Sequence, residues 1–201
     1  MGIAIFERDG LLIRPNIPPG DLALSDINDR FVEMLQQLRE QNVLYGFISR
    51  RLEIGDGFES WSEYDGLTRI LDGLLGVRDA LPDFWIGWVG TAGGNDAEFQ
   101  DRNDWSKDDI NVISRAIDWY GVDKKRAVFV GNSWAGALAV QDAGIMGLQF
   151  SGWQCERGLP GTKGADPVRR AIRPDAIELG RLRAGIERGL GLDHQSTLSR
   201  R

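Results

Sequence analysis

The chain has 201 residues, 42% hydrophobic and 27% charged, enough for one sizeable core and somewhat long for a minimal domain. One cysteine, Cys155, and one histidine, His194, exclude a disulfide framework and a Cys/His zinc site within one chain, so any metal must be a hard, oxygen-bound ion such as magnesium. The net charge of −6 divides into −10 over residues 1–155 and +4 over 156–201, and so acidic a body argues against broad contact with nucleic acid.

The first predicted element is a strand, Ile3–Phe6, running straight into Glu7-Arg8-Asp9-Gly10. Phe31, Leu35 and Leu38 then fall at helical spacing, followed by an apolar strand run at Val43–Ile48. A second helical stripe comprises Leu67, Ile70, Leu71, Leu74 and Leu75, and a third strand spans Phe84–Val89. Ser106 reads as the N-cap of a helix carrying Asp108 and Asp109 in its first turn and Ile110, Ile113, Ala116, Ile117 and Tyr120 along one side. Strand runs follow at Ala127–Val130 and Gly147–Phe150. The Gly/Pro-rich segment RGLPGTKGADP, 157–167, reads as a linker, and 174–190 as an amphipathic helix with Leu179, Leu182, Ile186 and Leu190 on one side.

Strand and helix alternate, which predicts buried parallel strands covered by helices: a three-layer α/β/α sandwich with a mostly parallel, Rossmann-like sheet. The expected division is one domain over 1–155 and a linker with a helical extension over 156–201. The extension's apolar stripe could serve a homodimer or partner contact, or pack back on its own domain; its basic charge could equally be a solvated tail. No run of eighteen or more apolar residues suggests a membrane span and no leading signal pattern is visible, so a cytoplasmic protein is expected.

Ligands of open parallel sheets gather beyond the carboxyl ends of the strands. The loops there carry Glu7 and Asp9, then Ser49-Arg50-Arg51, then Lys107, then Gly131-Asn132-Ser133. Carboxylates for nucleophilic or proton work, a hydroxyl and cations for phosphate oxygens, and an oxygen ligand for magnesium are what a phosphoryl-transfer site requires. Each also has an ordinary alternative: an Asp-Gly turn with solvated acids, a strand-end serine, surface arginines, a first-turn lysine. VFVGNSWAG also nearly matches the Gly-x-Ser-x-Gly elbow of α/β-hydrolases, in which Ser133 would attack with Asp166 or Asp175 and His194 as partners, although Ala135 stands at the last glycine.

Over residues 3–150 the chain resembles the haloacid-dehalogenase (HAD)-like superfamily, most closely its histidinol-phosphate and heptose-bisphosphate phosphatase branch. IAIFERDGLLI stands for the family's Asp-x-Asp-Gly-Thr-Leu, LYGFISRRLEIGDGF for its second motif, WSKDDINVISRAIDWYGVD for its lysine and VFVGNSWAGALAVQDAGI for its Val-Gly-Asp motif. The resemblance implies Glu7 at the nucleophile position, Asp9 as acid then base, Ser49, Arg50 and Lys107 on the phosphate, and Glu7, Asp9 and Asn132 around a weakly held magnesium. It also implies small cap insertions and a small phosphorylated metabolite or anion as ligand. Glu7 is one methylene longer than the family's aspartate, and misplacement of about 1 Å can cost roughly a hundredfold in rate. Asn132 and Gly136 replace two metal-binding acids, and FWIGWVGTAGGNDAEFQDRND lacks the Cys and His of the branch's zinc loop. In that stretch Trp85, Trp88 and Gly93-Gly94 suggest an apolar flap, with tryptophans packed in the core as the alternative. The expected function is therefore phosphate binding with weak or no phosphatase activity, as a pseudoenzyme would show. A competent magnesium-dependent phosphomonoesterase and a Ser133/His194 esterase are the alternatives.

Overall fold

The computed structural model describes residues 1–14, 22, 24–52, 61–90, 107–155, 171–172 and 174–192. Strand β1, Gly2–Glu7, is buried along its apolar run because it lies in the middle of a sheet with helices on both sides. Alternation sorts its residues: Ala4 and Phe6 face one apolar cluster, Ile3 and Ile5 the other. Helix α1, Asp29–Glu40, starts where the Asn28 side chain accepts the Phe31 N–H at 3.3 Å, and buries Phe31, Leu35 and Leu38 at the predicted spacing.

The remaining elements are β2, Val43–Leu52; α2, Trp61–Gly76; β3, Phe84–Gly90; α3, Lys107–Trp119; β4, Ala127–Gly131; α4, Trp134–Ala139; β5, Met146–Gln149; β6, Gln154–Cys155; β7, Ala171–Ile172; and α5, Ala176–Gly189. Five strands form one parallel sheet in the order β3-β2-β1-β4-β5, while β6 and β7 pair antiparallel by themselves. Buried residues of α1, α2 and α5 share the Ala4 and Phe6 cluster, and Ile113, Ala116 and Ile117 of α3 share that of Ile3 and Ile5. This is the expected three-layer sandwich. Short α4 and the β6-β7 pair were not anticipated, while Ser106 and the 157–167 segment lie outside the described residues.

Helix α5 is built into the layer that covers one face of the sheet. Its stripe of Leu179, Leu182, Ile186 and, just past its end, Leu190 is buried in the cluster that holds Phe31, Val128 and Val130. A Cβ at Gly189 would lie 2.5 Å from Met146 Sδ and 2.6 Å from Val128 Cγ2, so the missing side chain lets the helix sit directly on β4 and β5. The apolar stripe is thus spent on the chain's own core, which removes the basis for expecting a dimer through it.

Register positions the site. Glu7 pairs with Ile48 of β2, and Phe6 pairs with Val130 of β4, so β1 and β4 end beside Ile48 and Ser49 toward the carboxyl end of the sheet, while β2 itself runs on to Leu52.

Candidate active site

The turn after β1 is held from several sides. Arg8 N–H donates to the Ile48 carbonyl at 2.9 Å, Gly10 N–H to that of Ile13 at 2.9 Å, and Leu12 N–H to that of Arg8 at 3.1 Å. Gly10 has φ +84°, a region a side chain disfavours, and a Cβ there would lie 3.0 Å from Asn132 Nδ2. The Gly10 carbonyl accepts the Trp153 N–H at 2.8 Å, which fastens the turn to the chain leaving β5. Asp9 therefore sits on backbone tied to β2 and to the segment that follows β5.

Glu7, Asp9, Ser49 and Asn132 come together at this end of the sheet. Glu7 Oε2 accepts the Asn132 backbone N–H at 2.6 Å, short for N–H to oxygen, as a charge-assisted bond is. The extra methylene of Glu7 thus carries its carboxylate beside the start of the loop after β4. Asn132 Nδ2 donates to the Asp9 carbonyl at 3.1 Å. Buried Ser49 donates its hydroxyl to Asp9 Oδ2 at 2.9 Å. Arg8 binds both oxygens of the same carboxylate, Nε to Oδ1 and Nη2 to Oδ2, each at 3.1 Å.

Two members of this cluster escaped the sequence reading. Arg8 is only 4% exposed, and its guanidinium lies 5.6 Å from the ring centroid of Tyr64, which is buried on α2. Burial pushes the Tyr64 phenol above its ordinary value, with the positive charge of Arg8 working in the opposite direction. Tyr64 stands three residues before Leu67 and so extends the stripe read from Leu67, Leu71 and Leu75. That spacing could have found Tyr64; nothing in the sequence distinguishes Arg8 from a solvated loop arginine.

Arg50 and Lys107 are placed by their backbones alone, in the last part of β2 and at the first residue of α3; their side chains lie outside the described set. Ser133 caps α4, its Oγ accepting the Gly136 N–H at 3.3 Å, and Asp175 caps α5 by accepting the Ile177 and Glu178 N–H groups at 2.8 Å. Both therefore have local structural work, while Asp166 and His194 lie outside the described residues. Trp85 stacks on Phe47 with centroids 4.9 Å apart and donates Nε1–H to Asp72 at 2.7 Å, so this tryptophan packs against the core. Gly93-Gly94 and the Trp88 side chain lie outside the described set.

As arranged, the residues present do not fit a magnesium ion. Such an ion needs several converging oxygens that face it, and N–H donors or a guanidinium aimed at the same oxygens compete with it. Here Glu7 Oε2 and the Asp9 carbonyl face N–H donors of Asn132, and Asp9 Oδ1 and Oδ2 face the Arg8 guanidinium. Gly136 brings no side chain, and no group of three or more His, Cys, Asp or Glu among the described residues is arranged to hold a metal.

The five-stranded parallel sheet, with acids just beyond its central strand, has a HAD-like fold, as its likeness to solved structures shows. The structure resembles a candidate HAD-like phosphatase from Mesorhizobium loti, with a TM-score of 0.66 and 20% identity over 94% of this chain and 87% of that one. It also resembles D,D-heptose 1,7-bisphosphate phosphatase from B. bronchiseptica, a structure complexed with magnesium and phosphate, with a TM-score of 0.55 and 14% identity over 72% and 78% of the two chains. No protein-family model and no curated protein matches the sequence. The likeness is one of fold, and chemistry has to be argued from this chain's own residues.

Proposed function

We propose that this protein is a phosphatase-fold protein with an altered site, which binds a small phosphorylated metabolite or related anion and turns it over weakly or not at all. The observation that carries the reading is the state of Asp9. An acid–base group must exchange protons with a ligand, yet both Asp9 oxygens are engaged by Arg8, and Oδ2 also by Ser49. The hydroxyl expected to hold a phosphoryl oxygen is thereby donated to the group expected to move the proton. Glu7 is similarly engaged by Asn132 at 2.6 Å, and its reach differs from that of the shorter aspartate it replaces.

Support for a ligand of this kind comes from the position at the carboxyl ends of β1 and β4, where open parallel sheets bind ligands. Ser49, Arg50 and Lys107 are the groups assigned to its phosphoryl oxygens. A competent magnesium-dependent phosphomonoesterase is the second reading, favoured by one observation: the Asp9 side chain keeps 40% of its surface exposed and is within reach of a ligand.

An assay of small phosphate esters with and without magnesium separates the two. Turnover close to the uncatalysed background is expected, together with saturable binding of inorganic phosphate. Robust turnover abolished by Asp9→Asn would establish the second reading instead. Under the first, the paired change Glu7→Asp with Asn132→Asp should raise activity above that of the wild type.

A further inference from the structure

The oxygens at the mouth of β1 are served by donors of the chain itself. Glu7 Oε2 and the Asp9 carbonyl both receive N–H groups from one residue, Asn132, at 2.6 Å and 3.1 Å. The amide orientation is chemically determined, because a carbonyl oxygen only accepts and the nitrogen must therefore face Asp9. Beside them the Arg8 guanidinium bonds both carboxylate oxygens of Asp9, with its own side chain 5% exposed. A planar two-point pair of this kind fixes orientation as well as charge.

We propose that Asn132 and Arg8 together are a built-in substitute for a divalent cation, so that the site keeps its shape and binds its anion without metal. Asn132 links the acid at the end of β1 to the Asp9 carbonyl through two N–H groups, as a metal would through coordination. Arg8 supplies fixed positive charge, buried beneath Tyr64 and tied to Asp9, so that it stays in place when the solvent changes. For a magnesium ion to enter, Asn132 Nδ2 would have to leave the Asp9 carbonyl, and the incoming ion would meet the Arg8 charge nearby. The anion-binding part rests on the function proposed above; the metal part stands without it.

The test is magnesium binding by calorimetry and thermal melting, on wild type and Asn132→Asp, in EDTA and in millimolar magnesium chloride without phosphate. Wild type should melt at the same temperature in both. Asn132→Asp replaces a donor with a charged oxygen and should bind magnesium about tenfold more tightly or better, with a melting temperature that rises with the metal. Saturable stabilisation of the wild type by magnesium would overturn the proposal and needs no variant to be seen. A folded Asn132→Asp that gains no magnesium affinity would overturn the role given to Asn132. Inorganic phosphate is then titrated into wild type. Binding in EDTA supports the proposal, and binding only with magnesium overturns it. No binding in either solution defeats the anion reading and the anion clause with it, while the melting result still decides the metal part.

Discussion

Gly10 shows how narrowly the turn after β1 is drawn. An alanine there would take a backbone conformation at φ +84° that costs an L-residue about 1–2 kcal/mol, and its Cβ would press on the Asn132 amide. Gly10→Ala should lower unfolding stability by about that amount, measured by urea denaturation. Arg8 is the more instructive residue. Glu7, Asp9, Ser49 and Asn132 were legible as motif positions, but an arginine between two acids is ordinarily solvated and gives no local sign of burial. Its fate depends on the ring of Tyr64, more than fifty positions away along the sequence. Arg8→Met should therefore loosen α2 as well as Asp9, seen as faster amide exchange in both segments.

Helix α5 was legible as an element because its leucines and isoleucine recur at helical spacing; the structure adds a capping box of Asp175 and Glu178 at its start. Its destination was not, since a stripe of that kind suits a dimer partner as well as the chain's own sheet. Fully buried Ile186 makes the packing testable: Ile186→Ala should cost about 2–5 kcal/mol, read from the midpoint of denaturant unfolding. Near the end of α5, burial pushes the Glu187 carboxyl up, but hydrogen bonds from Gln41 and Arg183 and the charge of Arg183 outweigh it and leave the group below its ordinary 4.5. A carboxyl lowered in the folded state contributes stability that is complete above pH 4.5 and is lost as pH falls through the lowered value. Glu187→Gln should accordingly lose less stability on acidification below that point than wild type does.

Across the whole molecule, residues 174–192 behave as part of the fold that residues 1–155 begin. A chain ending at 155 would lack Leu179, Leu182, Ile186 and Leu190, which complete the apolar cluster that also holds Phe31, Val128 and Val130. It should unfold at a clearly lower denaturant concentration than the full chain and bind more of a hydrophobic dye. The five strands of the main sheet, the four longer helices and the parallel sandwich were legible in the sequence alone, because apolar periodicity and strand–helix alternation are local and survive in a linear reading, whereas short α4 and the β6-β7 pair were not. The motif order likewise pointed to Glu7, Asp9, Ser49 and Asn132, which the structure joins by hydrogen bonds. Only the tertiary structure decided that Arg8 takes both oxygens of Asp9, that Asn132 turns its N–H groups on Glu7 and the Asp9 carbonyl, and that α5 closes one face. Those outcomes depend on distances between segments remote in sequence, and a hydrogen bond exists only when both partners arrive within about 3 Å.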